Sequence, residues 1–271
     1  MAVPPADSWN PEVYGKFRAE RARPFHDLAA LLGPVVAPRV LDLGCGPGEL
    51  TRALHGRLGA RETLGVDASP AMLARAAAQA APGLSFTLGD LAAPPPGPFD
   101  VVFSNAALHW APDHAGLLAV LTSRLAPGGQ LAIQVPANEA EPSHLVAREV
   151  AREPEHAAAL GGFVRVSPVL APEEYARLLF RLGFAEQRVR AEIYAHPLAS
   201  RDEVVDWVRG TLLTAYEARL SPEAFGRFLA RYRERLLAAI PDERPFLFTF
   251  RRILMWARLP PAPGVRGASG G

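Results

Sequence analysis

Between Arg39 and Val135 the chain alternates repeatedly between short apolar runs and stretches of helical character, and few folds accommodate that order. Val40–Leu43, Thr63–Val66, Leu84–Leu88, Phe99–Ser104 and Gln130–Val135 read as strands. Gly48–Leu58, the alanine-rich stretch from Ser69-Pro70 to about Ala80, and Asp113–Leu125 read as helices between them. Strands alternating with helices of this length predict a parallel sheet covered on both faces. Right-handed crossovers make such a sheet doubly wound. Ala92–Pro98 (AAPPPGP) and Pro127-Gly128-Gly129 are expected to be turns.

The flanks follow different rules. Asn10-Pro11-Glu12 is a helix start, with asparagine as cap and proline at the first helical position. That helix is expected to run to about Leu32, with Tyr14, Phe17, Phe25, Leu28 and Leu32 on its apolar face. After Pro136, helices are expected at Ser143–Arg152, Pro172–Leu182, Arg201–Arg209 and Pro222–Ala239, and strands at Ala185–Ala195 and Phe246–Arg258. Leu259–Gly271, rich in proline and glycine, is expected to be disordered. The whole reads as one α/β domain over 1–258, with a core at about 33–136 and cap elements at about 9–32, 137–170 and 197–240.

Composition narrows the functional classes. A formal net charge of +1 lacks the electrostatic footprint of a general nucleic-acid or anionic-membrane binder. The single cysteine, Cys45, excludes an internal disulfide framework and a thiolate metal cluster. No run approaches the roughly 18 apolar residues of a membrane span, and MAVPPADSW has no signal-peptide pattern. The expectation is a soluble cytoplasmic protein. His109, Asp113 and His114 match no zinc-ligand spacing, and Pro112-Asp113 reads as a helix start.

The chemistry is concentrated in Val40–Gly48, VLDLGCGPG. In an open parallel sheet, ligands sit beyond the carboxyl ends of the strands, at the point where strand order reverses. Gly44, Gly46 and Gly48 let backbone approach a ligand there, and the helix that follows offers its N-terminus. The spacing is not that of a dinucleotide fingerprint, because Glu49 stands where the third glycine would fall. No Gly-Lys-Ser/Thr follows, so it is not a P-loop either. A glutamate suits a cationic ligand better than a pyrophosphate. Asp67 closes the second strand about 20 residues further on, where an acid can accept both hydroxyls of a ribose. Asp90 follows the third strand and could accept from an adenine amino group.

VLDLGCGPG, VDASPAML, GDL and SNAALHW together resemble the class I S-adenosylmethionine-dependent methyltransferases, over about Val40 to Val135. The resemblance implies a Rossmann-like, mostly parallel seven-stranded sheet and a cofactor site. The site would comprise Asp42, Gly44, Gly46 and Gly48 for the methionine end, Asp67 for the ribose, Met72, Asp90 and Leu91 for the adenine, and Asn105. Cys45, between two loop glycines, is read as a small loop residue and not as a nucleophile.

Outside the core, the chain resembles the trans-aconitate 2-methyltransferases almost from end to end. Trp9, Asn10, Pro11, Tyr14, Phe17, Arg21, Arg23 and Pro24 match that family's opening segment. Gln134 to Asn138, Glu141 to His144, Tyr194 to His196 with Trp207, and Phe250 to Leu254 match later ones. The resemblance implies a small tricarboxylate as methyl acceptor. Its candidate contacts are Trp9, Tyr14, Arg21, Arg23, His109, Trp110, Asn138, His144, Tyr194, His196 and Arg252. A carboxylate is ionised at pH 7 and needs no strong base to attack a sulfonium methyl. His109 would be a base only for a hydroxyl acceptor. Two positions depart from the family: His109-Trp110 stands for Gln-Trp, and Thr214 for an arginine. Another small acid, a carrier-bound acyl group or a quinone-type hydroxyl therefore stays open as acceptor, as does a non-catalytic cofactor-binding role.

Overall fold

The computed structural model describes residues 18–263, with side chains from residue 22 onward. Its elements in chain order are α1 (Arg18–Ala29), β1 (Arg39–Leu43), α2 (Glu49–Leu58), β2 (Glu62–Asp67), α3 (Pro70–Ala76), β3 (Leu84–Leu88), β4 (Phe99–Asn105), α4 (His114–Ser123) and β5 (Leu125–Pro136). There follow α5 (Pro142–Arg152), α6 (Pro154–Ala159), α7 (Pro172–Arg181), β6 (Glu186–Leu198), α8 (Glu203–Arg209), α9 (Thr214–Glu217), α10 (Pro222–Ala239) and β7 (Phe246–Arg258).

The strands form one seven-stranded sheet in the order β3-β2-β1-β4-β5-β7-β6. Pairs β1–β2, β1–β4, β2–β3 and β4–β5 are parallel. β7 runs antiparallel to β5: Leu259 N donates to Gly129 O, while Ala137 N donates to Arg251 O at the other end. Strand order reverses between β1 and β4, and it is at such a switch point that crevices open in sheets of this kind.

The chain divides into two compact units. The sheet unit comprises residues 23–135, 168–191 and 253–263, and the insertion unit residues 18–22, 136–167 and 192–252. In the sheet unit Val40, Leu41, Leu43, Val101, Val102, Phe103, Leu131, Ala132 and Ile133 are buried. Such unbroken apolar runs are what strands covered on both faces require. Helix starts follow local chemistry: Ser69 caps α3 by accepting from Met72 N with Pro70 at the first position, and Asp113 caps α4 by accepting from Gly116 N.

The insertion unit has its own core. Phe225, Phe228, Tyr232 and Leu236 line one face of α10 at spacings of three and four. They belong to one cluster with Val146 and Val150 of α5, Trp207 and Val208 of α8, Tyr216 of α9 and Phe246, Phe248 and Phe250 of β7. In β6, Tyr194, His196 and Leu198 are buried while Ile193, Ala195 and Pro197 are exposed, a period-two alternation.

Several boundaries differ from the sequence reading. Pro127-Gly128-Gly129 lies within β5, whose register with β4 slips between Phe99 and Val101, and Gly128 takes φ +76°. An irregular strand start absorbs these residues where composition alone suggested a turn. The alanine-rich helix ends at Ala76 and finishes in a 3-10 turn over Ala77–Gln79. α1 ends at Ala29, short of Leu32, and its expected start at Asn10 lies outside the described residues. The segment expected to be disordered from Leu259 is paired through Pro260, whose carbonyl accepts from Gly128 N even though proline has no N–H to donate. Among the described residues no helix is long and apolar enough to cross a membrane.

Candidate active site

The glycine loop leaves β1 and is tied to the end of the neighbouring strand. Gly44 N and Cys45 N both donate to Val66 O, at 2.8 and 3.1 Å, and Gly46 N donates to Asp67 Oδ2 at 2.9 Å. The three glycines take φ of +77°, +56° and +84°, a region L-residues with side chains avoid. Their surroundings differ. A Cβ on Gly44 would lie 2.2 Å from Ala107 Cβ, so that glycine is demanded by packing within the protein. A Cβ on Gly46 would meet nothing within 4 Å. Gly46 is therefore where the loop turns bare backbone towards open space.

Asp67 is held from both sides: Oδ2 accepts from Gly46 N and Oδ1 from Ser69 N, each at 2.9 Å. A carboxylate offers about four lone-pair sites, so each oxygen can accept once more. Asp42 is buried and accepts from Thr51 Oγ1 at 2.7 Å. Burial pushes its carboxyl up to about 7; the Thr51 hydrogen bond opposes the rise and the nearby Asp67 charge adds to it. Burial, with Asp42 and Asp67 alongside, also pushes the Cys45 thiol up, so Cys45 is no thiolate nucleophile.

The other residues expected at the cofactor occupy neighbouring strand ends. Met72, on the first turn of α3, is buried. Asp90 is exposed and its Oδ1 accepts from Ala92 N at 2.9 Å, closing the turn after β3; Leu91 beside it is half-buried. Asn105 ends β4, and its Oδ1 is buried with no hydrogen-bond partner among the described residues. A buried acceptor without a donor is costly, so Asn105 is poised to receive one. Acids at strand ends, an orphaned acceptor and open backbone at Gly46 fit a cationic nucleoside ligand. In the 3-10 turn Leu108–Trp110 that follows, the His109 and Trp110 rings lie 4.8 Å apart.

Besides His109 and Trp110, which lie in the sheet unit and are half-buried, the residues expected at the acceptor separate into three groups. Trp9, Tyr14 and the Arg21 side chain lie outside the described residues. Arg23 is on the surface of α1, its side chain 70% exposed and 3.9 Å from Asp27, so it joins no buried cluster in the sheet unit. The remaining five are all buried in the insertion unit. Of these, Tyr194, His196 and Arg252 gather with Trp207 and Phe250: the Arg252 guanidinium lies 4.8 Å from the Phe250 ring and 5.8 Å from the Tyr194 ring, and His196 packs 4.6 Å from Trp207. Asn138 uses both ends of its amide on the backbone of Arg251, accepting from its N at 2.7 Å and donating to its O at 3.0 Å. It fixes the strand position next to Arg252. His144, 3.1 Å from Ser143 Oγ, is held down to about 3 by burial and then by Arg165 and Arg148, so it is a neutral imidazole at physiological pH.

Arg165, Arg148 and Glu139 were not singled out by sequence reasoning. Arg165 sits in an irregular stretch after Gly161-Gly162, where no periodicity marks a position as inward-facing, and only tertiary burial reveals it.

A doubly wound sheet with an acid-flanked glycine loop at its switch point is the architecture of a class I S-adenosylmethionine-dependent methyltransferase. The methyltransferase domain family model matches residues 40–129. The phosphoethanolamine N-methyltransferase 2 of Haemonchus contortus, solved in complex with S-adenosyl-L-methionine, shares the fold at a TM-score of 0.52 and 18% identity, over 88% of this chain and 52% of that one. Curated relatives are closer. The trans-aconitate 2-methyltransferase of Deinococcus radiodurans is 42% identical across 93% of this chain and 99% of its own length, and that of Methylobacterium nodulans 43% identical across 92% and 98%. The chain belongs to the trans-aconitate 2-methyltransferase family, and its cofactor is S-adenosylmethionine.

Proposed function

We propose that this protein transfers the methyl group of S-adenosylmethionine to a carboxylate of trans-aconitate, giving a monomethyl ester. The observation that carries the reading is that similarity to trans-aconitate 2-methyltransferases extends over 93% of the chain. It thus takes in the insertion unit as well as the cofactor-type core. The burial of Arg252 and Arg165 in that unit agrees with an anionic ligand.

In this reading Asp67 accepts the ribose hydroxyls, Asn105 and the open backbone at Gly46 face the amino-acid end, and Met72 and Leu91 flank the adenine. S-adenosylmethionine supplies a methyl group made electrophilic by a sulfonium. The acceptor carboxylate is already the nucleophile, so the protein's contribution is alignment and exclusion of water. Alignment of this kind is worth on the order of 7–11 kcal/mol in favourable cases. Neutral His144 and buried Tyr194 and His196 offer directional donors, and Arg252 the charge that steadies a carboxylate not undergoing reaction. The proposal also places the reaction in the cytoplasm.

Purified protein incubated with S-adenosylmethionine and trans-aconitate is expected to yield the acid's monomethyl ester, detected by mass spectrometry. No ester from trans-aconitate, alongside turnover of a different acid or of a hydroxyl acceptor, would sink the assignment. Arg252→Ala is expected to raise the acid's KM by at least about tenfold, the value of one charge-assisted hydrogen bond, with the cofactor's KM nearly unchanged. Equal effects on both KM values would remove Arg252 from acid recognition.

A further inference from the structure

His114 opens α4 and is buried within the sheet unit, at 3% exposure. Its Nδ1 lies 2.5 Å from Oη of Tyr175 on α7, a side chain that is itself fully buried. The same Oη accepts from Leu170 N at 3.2 Å. The second ring nitrogen, Nε2, is buried with no hydrogen-bond partner among the described residues. An imidazole bonded so closely on one side and unmatched on the other calls for a reason in its surroundings.

The proton positions follow from these partners. Burial raises the Tyr175 phenol, so its oxygen keeps its proton, and burial is also the main effect holding His114 below the ordinary imidazole range. The pair is neutral at physiological pH. Tyr175 Oη already receives the Leu170 amide, so its own proton can go to His114 Nδ1. The opposite arrangement would give Oη two donors and leave the phenol proton without an acceptor among the described residues. With Nδ1 accepting, the imidazole proton sits on Nε2. The Leu108 backbone, and after it the Asp113 charge, favours the protonated ring. Of the two backbone groups only a carbonyl has that effect, so the Nε2 side of the ring is met by the Leu108 carbonyl.

Leu108 opens the 3-10 turn that carries His109 and Trp110. Its carbonyl closes that turn by accepting from Ala111 N at 2.9 Å, and it has a second lone pair to offer. Ala107, one residue earlier, accepts from Trp110 N at 3.1 Å, and its Cβ occupies the space beside Gly44. The turn is therefore joined to the glycine loop on one side and, through His114, to α7 on the other.

We infer that His114 is a positioning residue: with its tautomer fixed by Tyr175, it directs Nε2–H at the Leu108 carbonyl and so sets where the turn presents His109 and Trp110 to the methyl acceptor. This rests on the methylation reading above. His114 takes no part in bond making.

Tyr175→Phe removes one oxygen and little volume, and in the full-length protein it is expected to lower kcat for trans-aconitate about tenfold, with the cofactor KM moving less than about threefold. His114→Gln keeps an amide donor and acceptor and should retain more kcat than His114→Leu, which keeps neither. Nitrogen NMR of the histidine rings should find His114 neutral with its proton on Nε2. Amide exchange at Trp110 and Ala111 should quicken in Tyr175→Phe. A proton on Nδ1 in the unaltered protein overturns the inference, as does an unchanged kcat in Tyr175→Phe or an equal kcat in the two His114 variants. Losses shared equally between kcat and cofactor KM would mean general damage and overturn it too. Should neither His114 variant fold, Tyr175→Phe and the ring spectrum decide. If the unaltered protein methylates no acid, the methylation reading fails. The ring spectrum and the exchange rates then still test the hold on the turn, and unchanged exchange in Tyr175→Phe overturns it.

Discussion

Asp67→Ala is expected to lower the affinity for S-adenosylmethionine by at least about tenfold, a loss of about 1.4 kcal/mol or more. Two effects add. The carboxylate that would accept the ribose hydroxyls disappears, and hydrogen bonds to a charged acceptor contribute roughly 1.5–3 kcal/mol each. The same carboxylate also holds Gly46 N and Ser69 N, so its removal releases both the glycine loop and the cap of α3. The variant should therefore bind weakly and leave the loop amide of Gly46 less protected from hydrogen exchange in the cofactor-free protein. Titration calorimetry measures the first effect and exchange at Gly46 the second. Undiminished affinity would remove Asp67 from the cofactor site, whatever happened to the loop.

The place of Asp67, at a strand end and tied to the glycine loop, shows how much of the candidate site was legible in the sequence. The five core strands followed from periodicity, because strands covered on both faces must be apolar throughout and helices between them must not be. Asp67 and the glycine spacing could be read for the same reason: a strand end, a tight loop and a helix start lie within a few residues of one another. Asn105 could be placed at the end of β4, but its orphaned Oδ1 could not be anticipated, because satisfaction is a property of the folded surroundings. The insertion unit was less legible still. Its longest helix was marked by the Ser221-Pro222 start, but the short α6 and α9 were not read from the sequence, although α6 opens on Pro154-Glu155, and Arg165 lies where local pattern carries no information. Asn138 illustrates the reverse case. A polar residue in a matching segment reads as a ligand contact until its amide is seen to bind the Arg251 backbone on both sides.

Asp42→Asn is expected to make the cofactor-free protein more stable at neutral and alkaline pH. The Asp42 carboxyl is raised from 3.8 to about 7 chiefly by burial, so between those values the unfolded chain releases a proton that the folded chain retains. Stability therefore falls as pH rises from about 4 to 7 and levels off once both states are ionised. The full difference corresponds to a penalty on the order of 4 kcal/mol. Asparagine cannot ionise, and its carbonyl can still accept from Thr51 Oγ1, so the variant escapes the penalty while keeping the hydrogen bond. Denaturant unfolding at pH 5, 6, 7 and 8 should show the variant's advantage growing with pH and then reaching a plateau. An advantage of constant size across that range would mean that Asp42 is ionised throughout. The same carboxylate is what a sulfonium cofactor would favour in its charged form, so cofactor affinity in the unaltered protein should increase as pH rises through about 7, and in Asp42→Asn it should not. On this account the buried acid at the end of β1 lowers the stability of the empty site and strengthens the filled one.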